Sequence, residues 1–224
     1  MVRAVAFDFD GVIAESVDVK TQAFARMFAD SGPAIVQKVV AYHLEHGGKS
    51  RVEKFRHFYR HYLNRELPDN ELEVLCEKFR ELVFDRVVAA PLVPGALESI
   101  RQLHSDGLLQ FIVSGTPGNE LEKIVARRKM RQYFAGVFGS PERKGELLRS
   151  ILDSHRLQAS EVLFIGDSAT DYEGARISGV RFVARSQAGD LARWKARGVP
   201  CLSDLNALPS YIAKLNSLTA LRES

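Results

Sequence analysis

Long apolar runs are missing from this chain. Segments such as residues 108–113 fall far short of the ~20 residues that a bilayer-spanning helix needs. No short charged segment with an apolar h-region and a cleavage site opens the chain, which runs directly into a strand-like pattern. Cysteine is scarce too: Cys76 and Cys201 stand far apart without metal-type spacing, so neither a disulfide framework nor a zinc site is expected, and both are read as reduced core thiols. Charge of one sign is not in excess, with 31 Lys and Arg against 28 Asp and Glu and no concentrated basic stripe, which argues against a nucleic-acid partner. Neither a Gly-x-Gly-x-x-Gly set nor a GxxxxGK[ST] loop occurs, so no dinucleotide or ATP loop is indicated. His57 and His61 have the i, i+4 spacing of a zinc-protease helix but lack its glutamate, and are expected at the surface. These absences leave a soluble cytoplasmic protein as the expectation.

What is present is enough apolar content, 46% of 224 residues, for one substantial core with a smaller satellite. Residues 2–9 are rich in β-formers and stop at the turn signal Asp10-Gly11. Further strands are expected over 108–113, 137–138, 162–165 and 180–184. Helical patterns lie between them, over 96–105, 119–129, 144–155 and 171–178. Alternation of this kind implies βαβ units and a parallel sheet with helices on both faces. Residues 16–90 break the alternation with helical patterns only (21–30, 52–63, 70–88), and Pro91 and Pro94-Gly95 mark the return. The expected organisation is an α/β, Rossmann-like core from 1–15 and 91–224, with an all-helical cap of residues 16–90 inserted after the first strand. A last helix with a frayed end is expected after Pro209.

In an open parallel sheet, ligands bind beyond the C-terminal ends of the strands. The first strand delivers Asp8 and Asp10 there, two apart and therefore on one face if the strand continues. The second delivers Ser114-Gly115-Thr116, the third Arg143 and Lys144, and the fourth Asp167 and Asp171. Four carboxylates packed together would repel one another unless a cation neutralised them. The donors are all hard oxygens, which favours Mg²⁺ over Zn²⁺. Lys144 and the Ser114 hydroxyl supply the opposite half of the site, suited to a phosphate, and the combination fits phosphoryl transfer. Each piece alone is an ordinary turn, cap or helix start; together, in this order at successive strand ends, they describe a site.

These residues resemble the motifs of the haloacid dehalogenase superfamily. Phe7-Asp8-Phe9-Asp10-Gly11-Val12-Ile13 is similar to the first motif and Ile112-Val113-Ser114-Gly115 to the second. Lys144 is similar to the third and Gly166-Asp167-Ser168-Ala169-Thr170-Asp171 to the fourth. The helical stretch resembles the cap of the phosphoglycolate phosphatase and β-phosphoglucomutase branch. The resemblance implies Asp8 as nucleophile forming an aspartyl phosphate and Asp10 as general acid and base. It also implies Mg²⁺ on the Asp8 carboxylate, the Asp10 main-chain carbonyl and Asp167, with Asp171 beside them holding a metal-bound water or Lys144. Ser114, the Gly115 amide and Lys144 would hold the phosphoryl oxygens, although the neighbouring Arg143 competes with Lys144 for that place. Asp10 argues against dehalogenase and phosphonatase activity, and the lack of membrane spans against an ATPase pump. The expected substrate is a small phosphorylated metabolite, the alternative activity a phosphomutase on the same aspartyl phosphate, and the assembly a monomer or homodimer. Within the basic run from His43 to Arg65, the glycine pair Gly47-Gly48 suggests a loop over the site, with Lys49 and Arg51 as substrate contacts.

Overall fold

A computed structural model of the chain describes residues 1–186 and 191–223, the last five of these by backbone alone. Six strands form one parallel sheet in the order β3-β2-β1-β4-β5-β6. They are β1 (Ala4–Phe7), β2 (Leu109–Pro117), β3 (Gly136–Ser140), β4 (Val162–Gly166), β5 (Arg181–Arg185) and β6 (Cys201–Leu202). The central pair β1 and β4 is apolar at every position and buried throughout, as a strand covered on both faces must be. Phe7 lies level with Ile112 of β2 and Ile165 of β4, which sets the next residue of each strand at one height.

Helices α1 (Val17–Met27), α2 (Pro33–Glu45), α3 (Arg51–Tyr62) and α4 (Asp69–Ala89) follow β1, with no strand among them. The remainder alternate with the strands: α5 (Ala96–Ser105), α6 (Gly118–Arg127), α7 (Lys144–His155), α8 (Ala169–Ser178), α9 (Leu191–Ala196) and α10 (Leu208–Glu223). A fully buried aromatic cluster of Phe24, Phe55, Phe58 and Phe79 ties α1, α3 and α4 together, with Phe24 and Phe79 ring centroids 4.4 Å apart. It is continuous with the apolar layer on one face of the sheet. The chain leaves and re-enters the sheet layer side by side: the Glu15 amide donates to the Pro91 carbonyl at 2.9 Å and the Val93 amide to that of Ile13 at 3.0 Å.

The parallel sheet, its flanking helices and the helical run after β1 agree with the sequence expectation. The details differ where short-range pattern is weak. The first strand stops at Phe7, because the Phe9 carbonyl accepts from the amides of Ile13 and Ala14 and curls the chain into a tight turn, with Gly11 at φ +76°. Helix α2, helix α9 and the two-residue β6 lie outside the expected elements. Helix α10 begins just before Pro209, while the expected frayed end falls at Ser224 and the side chains from 219 on, outside the described residues. Both cysteines are free, and no helix of the described residues is long and apolar enough to cross a membrane.

Candidate active site

Connections from β1 run to β2 and β3 on one side, and those from β4 to β5 and β6 on the other, so the strand order reverses between β1 and β4. A crevice opens at such a reversal, and here the two strands end in Asp8 and in Gly166-Asp167. The Asp8 amide donates to the Ile165 carbonyl at 2.9 Å, and the Asp8 carboxylate accepts from the Phe9 amide at 2.7 Å. Asp8, Asp167 and Asp171 each place a carboxylate oxygen within 4.8 Å of the others.

Lys144 enters this cluster from the first turn of α7. Helices α7 and α8 pack closely because glycines face each other: a Cβ on Gly174 would stand 3.0 Å from the Lys144 Cβ, and one on Gly145 3.1 Å from Ile177. That approach brings the buried Lys144 ammonium to 2.8 Å from Asp8 Oδ2 and into contact with Asp171 Oδ1. Arg143 caps the helix from an exposed position, so Lys144 is the cation that turns inward. Asp171 is fully buried, and its second oxygen accepts from the Ser168 amide at 2.9 Å and the Ser168 hydroxyl at 2.6 Å.

Asp10 stands apart from the other three acids. Its carboxylate lies outside that close group: Ser16 Oγ donates to it at 2.6 Å, Thr116 Oγ1 at 3.3 Å, and the Lys20 ammonium is in contact. The expected four-acid cluster is therefore three close acids and a fourth, Asp10, outside that group. The Asp10-Gly11 backbone does lie against Asp167: a Cβ on Gly11 would come 2.1 Å from Asp167 Oδ2.

Electrostatics separate the groups in the same way. Burial pushes Asp8 up to about 6 from an ordinary 3.8, with Asp171 and Asp10 adding to the rise against Lys144. Burial, then Asp171 and Asp8, hold Asp167 well above the usual carboxylate range. Burial also opposes the charge on Asp10, but Lys20, Ser16 and Lys144 outweigh it and leave Asp10 below its ordinary value. Lys144 is held above its ordinary value because Asp171 and Asp8 overcome its burial. Three close acids with one lysine retain unbalanced negative charge, and hard oxygen donors in that state fit a divalent cation.

A pH dependence follows. A carboxyl whose folded value exceeds its unfolded one adds stability that is fully present below the unfolded value, and that is lost as pH rises through the folded one. Without metal, Asp8 should therefore cost stability as pH climbs from about 4 through about 6. The difference in urea midpoint between Asp8→Asn and the unmodified protein, measured in chelator, should favour the variant more at about pH 7.5 than at about pH 5. An equal difference at both values would contradict the raised carboxyl.

Above these residues lies a cavity of about 430 Å³, lined in part by the 47–49 segment. Gly48 packs so tightly that a Cβ there would lie 2.8 Å from Ser168 Oγ and 3.3 Å from Lys144 Nζ, and one on Gly115 would lie 2.6 Å from the Gly48 carbonyl. Gly48 thus packs its backbone against the site with an approach no side chain would permit, while Gly47 beside it is exposed. Ser114 and Gly115 line the cavity at the end of β2, and Ser114 is buried. Lys49 also lines it, with its ammonium 3.1 Å from the Tyr42 hydroxyl. Arg51 borders the cavity, but its guanidinium is bound to Glu120 of α6 at 2.7 Å in a buried ion pair and lies over the Phe79 ring. His57 and His61 pack against each other with rings tilted by 37° at a centroid distance of 4.4 Å and are not among the cavity's lining residues.

Thr116, delivered by the second strand as expected, shares a strand face with Ser114 two residues earlier. Three contributors escaped the sequence reading. Ser16 and Lys20 lie four apart, ahead of the buried Phe24, on the helix face that points inward. Lys54 sits in a run of basic residues where nothing in the sequence separates it from its solvated neighbours.

The comparisons with known proteins agree with this geometry. The chain is 28% identical over 208 residues to a phosphoglycolate phosphatase of Pseudomonas fluorescens, covering 89% of this chain and 75% of the relative. It is 27% identical over 190 residues to one of Vibrio parahaemolyticus, covering 80% of this chain and 81% of the relative. In fold it resembles the crystal structure of β-phosphoglucomutase from Clostridium difficile, with a TM-score of 0.80, 15% identity, and coverage of 99% of this chain and 100% of the other. The model of the haloacid dehalogenase-like hydrolases matches residues 5–185, a span that takes in the whole site from Asp8 to Asp171, and the chain belongs to that family.

Proposed function

We propose that the protein is a Mg²⁺-dependent phosphatase that hydrolyses the phosphate monoester of a small metabolite through an aspartyl phosphate on Asp8. The observation that carries this reading is the Asp8 carboxylate, 2.8 Å from the Lys144 ammonium inside a cluster of three acids at the sheet's reversal point. Support comes also from the curated relatives, which are phosphoglycolate phosphatases. The phosphomutase alternative draws on a likeness of fold alone, since that structure is 15% identical.

Asp8 and Asp167, with the Asp10 carbonyl, would hold Mg²⁺, which when bound offsets charge on the phosphoryl oxygens and on the attacking carboxylate. Asp171 fixes Lys144, which orients Asp8 and, with Ser114 and the Gly115 amide, cradles the transferring group. Asp8 attacks phosphorus in line, and the leaving oxygen departs on the opposite side. Against its burial, Lys20 holds the Asp10 carboxyl below its ordinary value, so the proton for that oxygen comes from the Lys20 ammonium, relayed by the Asp10 carboxylate. The Asp10 carboxylate then takes a proton from the water that attacks the aspartyl phosphate and returns it to Lys20. Residues 16–90 act as the cap, and Gly47 to Lys49 seal the reaction from bulk water.

Acid help matters most when the leaving oxygen is a poor anion. Asp10→Asn should cost on the order of 10²–10⁴-fold in kcat on an alkyl phosphate and far less on p-nitrophenyl phosphate. Equal losses on the two esters would remove Asp10 from that role.

A further inference from the structure

Of the four buried cations that reach the site, three are answered by a carboxylate: Lys144 by Asp8 and Asp171, Arg51 by Glu120 and Arg185 by Glu15, while the half-buried Lys20 meets Asp10. Lys54 differs. It lines the cavity and is 2% exposed, yet among the described residues its ammonium has only neutral acceptors, His43 Nδ1 at 2.8 Å and the Gly47 carbonyl at 3.3 Å. Those acceptors use two of its three N–H groups. A buried ammonium without an anion is a costly arrangement unless something else brings the charge.

The position of Lys54 indicates what does. Asp8 lies on the sheet side of the cavity, and in-line attack directs the leaving group away from it, toward the helical wall that carries Lys54. Phe24 and Phe79 also line the cavity, giving Lys54 apolar neighbours there. One ammonium with one donor to spare matches a carboxylate, whereas a second phosphate would call for several donors. Burial and the nearby Lys20 and Lys144 bring Lys54 down to about 7, and Asp10 and Asp167 only partly oppose them, so an arriving anion would restore its full charge. Burial holds His43 neutral, at about 3, so it serves Lys54 as an acceptor rather than as a competing cation.

We infer that Lys54 is the specificity-determining residue of this site and binds a carboxylate on the leaving-group end of the substrate. The ester class is then the phosphate monoester of a hydroxy acid. This rests on the phosphatase reading above and extends it to the substrate. Because Gly47 accepts from the same ammonium and precedes the tightly packed Gly48, the contact also ties substrate binding to the loop over the site.

The test compares 2-phosphoglycolate with ethyl phosphate, which has the same two carbons but no carboxylate, in the presence of Mg²⁺. The preference, taken as the ratio of the two kcat/KM values, should fall roughly ten- to hundredfold in Lys54→Met, mainly through KM for 2-phosphoglycolate. Lys54→Arg, which keeps the charge, should retain most of it. Met is apolar and of similar length, so folding should survive, and thermal unfolding checks this; if it does not fold, Lys54→Gln is read in the same way. A ratio unchanged by loss of the ammonium, or an unmodified protein that treats the two esters alike, overturns the assignment while leaving the phosphatase reading intact. No turnover of either ester, or of p-nitrophenyl phosphate, overturns the phosphatase reading and the assignment with it.

Discussion

Asp8→Asn should abolish turnover, by about 10⁴- to 10⁶-fold, the scale on which removal of a catalytic nucleophile is felt. The amide fills the same space and its oxygen can still accept from the Phe9 amide, but it is too weak a nucleophile to attack phosphorus. Folding should not suffer. The unmodified carboxyl is buried beside two other acids and is pushed up to about 6, so in chelator at neutral pH its neutral replacement should melt no lower. The same substitution removes a metal ligand, so Mg²⁺ should raise the melting temperature of the unmodified protein more than that of the variant. Residual turnover within tenfold of the unmodified protein would remove Asp8 from the chemistry. A large drop in melting temperature would make its role structural.

Lys144→Ala should have the largest effect on stability. The ammonium stands between Asp8 and Asp171 with almost no exposure, and without it three close acids have no cation among them. Breaking a buried pair in this way costs about 3–5 kcal/mol. For a chain of this length that corresponds to a fall of roughly 6–20 °C in melting temperature. The loss should shrink at lower pH, where the acids take up protons, and also when Mg²⁺ is added. Activity should fall on the order of 10²–10³-fold from the missing phosphoryl donor alone. Melting in chelator with and without added Mg²⁺, together with kcat on p-nitrophenyl phosphate, measures both effects. A variant as stable as the parent at neutral pH would contradict the charge balance described for the site.

How far the sequence carried these conclusions depends on the distance over which each feature is determined. Helices α5 and α7 have the bounds expected from their flanking turn residues, and β1 and β4 follow from unbroken apolar runs, because those signals are local. Helix α2 was missed although Pro33 is a helix-start residue, and β6, at two residues, is too short to carry a period. The acids and Lys144 were legible because a parallel sheet collects whatever follows its strands. Arg143 and Lys144 were not separable until the packing of Gly145 against α8 showed which one faces inward. The orientation of Asp10 depends on the tight turn from Phe9 to Ala14, whose hydrogen bonds leave little trace in residue type. Arg51, Lys54 and Lys49 belong to one basic run, and their fates were set by partners remote in sequence or in neighbouring helices: Glu120, His43 and Tyr42.

Direct capture of the phosphorylated residue is the most decisive measurement. A rapid acid quench of protein turning over a phosphate ester with Mg²⁺, followed by borohydride reduction and peptide mass spectrometry, converts an aspartyl phosphate to homoserine at its own position. Homoserine should appear at residue 8, only when substrate is present, and not in Asp8→Asn. Homoserine at Asp10, Asp167 or Asp171 instead, or none anywhere while hydrolysis proceeds and the label is shown to survive the quench, would contradict covalent catalysis by Asp8.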